Sequence, residues 1–247
     1  MGGAGGGGQW PLKWILGGAR LSHGRFRRLL RRLAWSVVAV VVSFYALVAV
    51  SLFALRWIDP PFTAVHVERR IESWFDKKPY TKRYTPLPLS RVAPDLEHAV
   101  VAAEDSRFFQ HHGFDLVEIQ HAMDEEEDRG YLRGASTITQ QLVKNLFLTT
   151  RRSFPRKGLE ITITPLAEWI LGKRRILELY LNVIEWGPGV YGAEAAARYH
   201  YSVPAARVSR DQAARLAAVI PSPRRRKPAR MDRLSAVILE RMRKMGW

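Results

Sequence analysis

The chain of 247 residues contains no cysteine, which excludes disulfide bonds and thiolate metal sites but leaves the compartment open. Acidic residues are missing from positions 1–33, which hold seven Lys or Arg. Charge of either sign is missing from residues 34–55, "AWSVVAVVVSFYALVAVSLFAL". No convincing alternating run marks a strand and no internal repeat is visible, so the domain beyond the apolar run is expected to be mostly α. The apolar share of 47% is ordinary for a folded chain and excludes disorder throughout.

What is present begins with those 22 uncharged residues. As a helix they would span about 33 Å, enough for the hydrocarbon core of a bilayer. A cleavable signal sequence would have a shorter apolar region, about 7–15 residues, with a small-residue cleavage site after it. Here the run continues into "RWIDPP", which favours a retained anchor. The basic flank "RFRRLLRR" keeps the N-terminus cytoplasmic by the positive-inside rule, so everything after Arg56 is expected on the outer side of the membrane. The expected organisation is a basic, Gly-rich tail (1–33), a transmembrane helix (34–55), a membrane-proximal segment (56–94) and a folded domain (95–247). Seven of the sixteen net positive charges lie in the tail, leaving +9 for the rest. Nucleic acid is the usual partner for such a charge, but a domain held outside the membrane favours anionic lipid or phosphate-bearing substrates.

Helical periodicity dominates from Asp95 onward. "APDLEHAVVAAEDSRFF" places Leu96, Ala99, Val100, Ala103 and Phe108 near a helical period, and "STITQQLVKNLFL" puts Ile138, Leu142 and Leu146 on one face. "ILGKRRILELYLNVI" and "DRLSAVILERMRKMGW" are amphipathic. Asp115 with Glu118, Thr137 with Gln140, and Ser209 with Gln212 all have capping-box spacing.

Three clusters have chemistry to offer. In "VVAAEDSRFFQHHGFD", a helix over 99–109 would set Glu104 and Phe108 on one face leading to His111, with Asp105 in a neighbouring sector. A carboxylate among apolar and aromatic residues has a raised pKa suited to proton transfer; the plainer alternative is a solvated surface Glu. His111 and His112 with Glu118 fit no zinc template, and Asp115 reads as a helix cap. In "GASTITQQLVKN", Thr137, Gln141 and Lys144 form a polar stripe at a helix start, where free N–H groups and the dipole already favour an anion. In "RRSFPRKGLE", the cations Arg151, Arg152, Arg156 and Lys157 precede Glu160. Such runs are usually solvated, yet this one closely follows the Lys144 helix and would complete a diphosphate site, with Glu160 holding a cation in place.

Together "EDSRFFQHHGFD", "GASTITQQLVKN", "RKGLE", "KRRILELYLN" and "GPGVYGAEAAARYHY" resemble, in order and spacing, the five motifs of the peptidoglycan glycosyltransferases, family 51. The resemblance covers roughly residues 90–225. It implies a mostly α, lysozyme-like fold with a membrane-proximal jaw, and polymerisation of lipid II into β-1,4-linked glycan by inverting displacement of undecaprenyl pyrophosphate. It makes Glu104 the base and Glu160 the second essential acid. It assigns Asp105, Phe108, His111, Thr137, Gln141, Lys144, Arg152 and Arg156 to substrate binding. It implies no cofactor and no metal. Its partners would be lipid II, the growing lipid-linked glycan, the membrane and proteins of cell-wall synthesis or division, and not nucleic acid. No length remains for a transpeptidase domain, which matches the monofunctional branch, in the bacterial inner membrane with its catalytic domain on the periplasmic side. "GAS" for the commoner "GGS", and "RYHY" at the end of the fifth block, are small departures. A lysozyme-like hydrolase would not need the Lys-Arg clamp, and a catalytically inactive scaffold would not need Glu104, Glu160 and Lys144 together.

Overall fold

A single long helix, α1 (His23–Ala54), carries the uncharged run. Its stretch Phe26–Ala54 contains a window long and hydrophobic enough to cross a membrane, and Trp35, Val40 and Leu47 are each more than 60% exposed, a surface that lipid rather than water would cover. The computed structural model describes residues 2–3, 23–76, 79–129, 136–151 and 153–247, with the backbone alone at 23–25 and 125–129. Most of the Gly-rich tail, Gly134 and Arg152 lie outside the described residues.

Two compact units are distinguished, Met1–Leu47 and Val48–Trp247. Within the second, Val48, Leu52 and Leu55 are buried at helical spacing, so the last turns of α1 pack into that unit. Arg175 holds the exit by donating from Nε to the Leu55 carbonyl at 2.7 Å and pairing with Asp59 at 2.9 Å. Residues 56–94 contain α2 (Ala64–Ser73), capped by the Thr63 hydroxyl, and the short strand β1 (Arg83–Tyr84).

The helices that follow are α3 (Pro94–Glu104), α4 (Leu116–Arg129), α5 (Ile138–Phe147), α6 (Phe154–Leu171), α7 (Lys173–Val183), α8 (Ala193–Tyr201), α9 (Arg210–Val219) and α10 (Asp232–Lys244). The molecule is mostly helical, as expected. α3 packs against α9 and α10, and α5 against α6 and α7. Ile138, Leu142 and Leu146 are buried as their spacing predicts. Both Thr137–Gln140 and Ser209–Gln212 form reciprocal capping boxes.

Two expectations are corrected. First, the chain does contain strands: β2 (Glu185–Gly187) and β3 (Val190–Tyr191) join β1 in the order β1-β3-β2. β1 runs parallel and β2 antiparallel to β3, with a register irregularity in β2. Two or three residues are too few to display alternation. The turn between β2 and β3 needs Gly189, whose φ is +72° and where a Cβ would lie 2.4 Å from the Thr81 carbonyl. Second, α3 stops at Glu104 instead of continuing to 109. Asp105 leaves the helix at φ −163° and ψ 76°, because its carboxylate bonds elsewhere. Glu104 and Phe108 therefore do not share a helical face, and Phe108 lies wholly buried in the turn beyond.

Candidate active site

Asp105 is the strut that assembles the site. Its Oδ2 accepts the Ile138 N–H, the first of α5, at 3.0 Å, which joins the end of α3 to the start of α5. His111 Nε2 lies 2.9 and 3.1 Å from the two Asp105 oxygens, and the Gly113 N–H donates to His111 Nδ1 at 3.2 Å. With Nδ1 accepting, the ring proton sits on Nε2 and points at the carboxylate. Gly113 has φ +96°, and a Cβ there would meet Thr164 Cγ2 at 2.7 Å. Its carbonyl accepts the Thr137 hydroxyl at 2.7 Å, so the Thr137 cap is fixed from both sides.

Asp105, His111 and Asp115 place one ligand atom each within 4.8 Å of one another, the spacing of a metal cluster. Their atoms are engaged otherwise. Asp115 Oδ1 accepts the N–H groups of Val117 and Glu118 at 3.1 and 3.0 Å, as a helix cap does, and Oδ2 pairs with Arg107 at 3.3 Å. The cluster reads as a hydrogen-bonded brace.

Glu104, at the end of α3, is half-buried beside a cleft of about 550 Å³. Asp105, Glu118, Gln141, Arg241 and Lys244 also line that cleft. Gln141 Nε2 donates to Glu104 Oε2 at 2.7 Å, and the Tyr180 hydroxyl donates to Gln141 Oε1 at 3.0 Å. Burial pushes the Glu104 carboxyl above its ordinary value, against the Gln141 bond and the positive charges of Lys144 and Arg226, while Asp105 adds to the rise. The group is thus a stronger base than a solvated carboxylate.

Lys144, one turn beyond Gln141 on α5, is also half-buried. Among the described residues its ammonium has neither a hydrogen-bond nor an ion-pair partner. Burial lowers its pKa, Glu160 and Glu104 raise it, and Arg156 and Lys157 lower it further. The ammonium therefore lies in the field of both Glu104 and the α6 cluster. In that cluster Glu160, 3% exposed, accepts from Arg156 Nη1 and from Lys157 Nζ, each at 2.5 Å. Two cations held by one buried carboxylate, with the Lys144 ammonium in the same field, leave a net positive site suited to an anion with several oxygens.

The structure thus brings Glu104, Gln141, Lys144, Arg156 and Glu160 into one electrostatic neighbourhood. Asp105 and Thr137 border the cleft and His111 is bonded to Asp105, with their polar atoms engaged within the protein. Phe108 is fully enclosed, with the Lys173 ammonium 4.3 Å from its ring centroid. Sequence reasoning left Lys157, Tyr180, Arg226, Arg241 and Lys244 out of the site. Lys157 stood in the basic run already singled out. Tyr180 lay on the apolar face of an amphipathic helix, with nothing to separate its hydroxyl from core packing.

The transglycosylase family model matches residues 70–243. A relative from Pseudomonas aeruginosa is 51% identical over 198 residues, covering 80% of this chain and 82% of its own. One from Ectopseudomonas mendocina is 46% identical over 224 residues, 89% of each chain. One from Pseudomonas fluorescens is 52% identical over 185 residues, 74% of this chain and 77% of its own. All three bear the name biosynthetic peptidoglycan transglycosylase.

Proposed function

The chain belongs to the transglycosylase family and is a glycosyltransferase of peptidoglycan synthesis; from that premise we propose that it polymerises lipid II, with Glu104 as base and the Lys144 cluster as the leaving-group site. The observation that supports this most is the pairing of a half-buried carboxylate of raised pKa with an unpaired, half-buried ammonium in its field.

Glu104 takes the proton from the acceptor sugar's 4-hydroxyl as that oxygen attacks C1 of the donor sugar. The bond from C1 to the pyrophosphate oxygen breaks, and its electron pair leaves with the lipid pyrophosphate. Attack opposite the leaving group inverts C1, so an α-linked donor gives a β-1,4 link without a covalent enzyme intermediate. Lys144, Arg156, Lys157 and Arg152 offset the charge that grows on the pyrophosphate, a contribution of about 3–4 kcal/mol for a well-placed group. Glu160 acts through the cations it holds. Asp105, His111 and Thr137 fix α3 against α5, and Phe108 fills the space behind them.

The apolar helix α1 complements this chemistry. Both substrates are lipid-tethered, and an enzyme confined to the same surface meets them at a raised effective concentration. The basic residues that precede the uncharged run favour a cytoplasmic N-terminus, with the residues after Arg56 acting on the outer side.

A hydrolase would use a raised-pKa Glu as acid, but would not require cations held around a buried acid. Purified protein incubated with lipid II should yield glycan polymer, and incubated with finished glycan should yield no fragments. Fragments without polymer would overturn the assignment.

A further inference from the structure

The base does not stand alone: Glu104, Gln141 and Tyr180 form a hydrogen-bonded chain that links α3, α5 and α7. We propose that Tyr180 is a positioning residue for the reaction, whose hydroxyl fixes the Gln141 amide so that its N–H, and not its carbonyl, faces Glu104. The inference rests on the reading of Glu104 as base.

The geometry discriminates between the two amide orientations. A side-chain amide offers an oxygen and an NH₂ of nearly equal size, and only hydrogen-bond partners decide which points where. Tyr180 is 0% exposed. Its hydroxyl has Gln141 Oε1 as its acceptor at 3.0 Å. A flipped amide would present NH₂ to Tyr180, whose own O–H would then be buried without an acceptor. It would also set a carbonyl oxygen against the carboxylate of Glu104. A buried donor left unsatisfied costs about 1–3 kcal/mol, so Tyr180 biases the amide strongly towards the orientation that supports the base. The backbone of Gln141 is fixed independently: its N–H donates to the Thr137 carbonyl at 3.0 Å, and its carbonyl accepts from Asn145 Nδ2 at 2.7 Å. The side-chain amide is therefore the one part of this residue that Tyr180 controls.

The chain also selects which carboxylate oxygen reacts. Gln141 occupies Glu104 Oε2 at 2.7 Å, leaving Oε1 to take the acceptor's proton. Charged and titratable groups around Glu104 come from every side: Asp105 next to it, Lys144 on α5 and Arg226 after α9, and Glu118, Arg241 and Lys244 along the same cleft. Changing Tyr180 alters none of these charges. A change in the titration of Glu104 on losing the Tyr180 hydroxyl is therefore attributable to Gln141.

The test uses the full chain with Tyr180→Phe, which keeps the ring and removes the hydroxyl. Lipid II polymerisation should show kcat lowered about tenfold, equivalent to roughly 1.4 kcal/mol, with KM unchanged. The acid limb of the pH profile should move to higher pH, because a Gln141 amide no longer held by Tyr180 donates less well to the carboxylate and supports its charged form less. Gln141→Ala should move it the same way, and the double variant should be no slower than Gln141→Ala alone. A second readout needs no turnover: the infrared carboxyl titration of Glu104, identified by its loss in Glu104→Gln, should rise in Tyr180→Phe. An unmoved titration, or losses that add in the double variant, would overturn the relay. A wild-type protein that makes no polymer would instead overturn the base assignment, and the infrared shift would still decide the orientation of Gln141.

Discussion

Replacing Glu160 by Gln keeps the side-chain volume and removes one negative charge from the centre of the cation cluster. Glu160 is 3% exposed and accepts from Arg156 and Lys157 at 2.5 Å each. Two charge-assisted hydrogen bonds are weakened, each worth about 1.5–3 kcal/mol in full. The amide oxygen still accepts one of them, and the Lys157 side chain, 39% exposed, regains water, so a destabilisation of about 2 kcal/mol is expected. The larger effect falls on Lys144. Burial already lowers its pKa, and Glu160 is the foremost charge opposing that. Without Glu160 the pKa falls further, and the ammonium loses its proton at a lower pH. A leaving-group site that needs a charged lysine then fails earlier as pH rises, so the alkaline limb of polymerisation should move to lower pH. Loss of one well-placed group is worth about 3 kcal/mol, or roughly a hundredfold in kcat. Initial rates across pH, with thermal unfolding of the same preparation, separate the two effects. An alkaline limb that stays in place, or a loss fully explained by the unfolded fraction, would refute the electrostatic coupling between Glu160 and Lys144.

Thr137→Ala removes the α5 cap and the bond to the Gly113 carbonyl, and should cost about 1–2 kcal/mol in thermal or denaturant unfolding. Wild-type activity should rise with pH through a pKa above the ordinary carboxylate range, since burial raises Glu104 and the base must be ionised; a pH–rate profile locates that limb. A reporter fused after Trp247 should be found on the outer side of the membrane, and protease accessibility in spheroplasts reads it.

Much of the fold was legible because α5, α7, α9 and α10 each show an apolar face, joined in α5 and α9 by a capping box, and each signal lies within one stretch of chain. The end of α3 was not. It is set by a bond from Asp105 to Ile138, 33 positions away, and no local pattern announces it. The same holds for the strands, whose pairing of Arg83 with Val190 joins residues with no shared periodicity. At the site, Glu104 stood out after an apolar run, Gln141 and Lys144 in a polar stripe at a helix start and Glu160 after a run of cations, and the resemblance to the family supplied their roles. The sequence did not separate groups aimed at the cleft from groups that brace it. Asp105 and His111 have the residue types of a reactive pair, yet bond each other and the backbone. Tyr180 has the residue type of a core aromatic, yet its hydroxyl ends beside Gln141. Arg241 and Lys244 read as the solvated side of an amphipathic helix, and only the packing of α10 on α3 turns them towards the cleft.

The most direct measurement is lipid II turnover by Glu104→Gln, with binding of the same substrate measured in parallel. The amide keeps the size of the side chain and its bond with Gln141 but cannot take a proton. Binding within a fewfold of wild type together with no detectable glycan is the predicted result. Glycan formed at near wild-type rate would contradict Glu104 as the base.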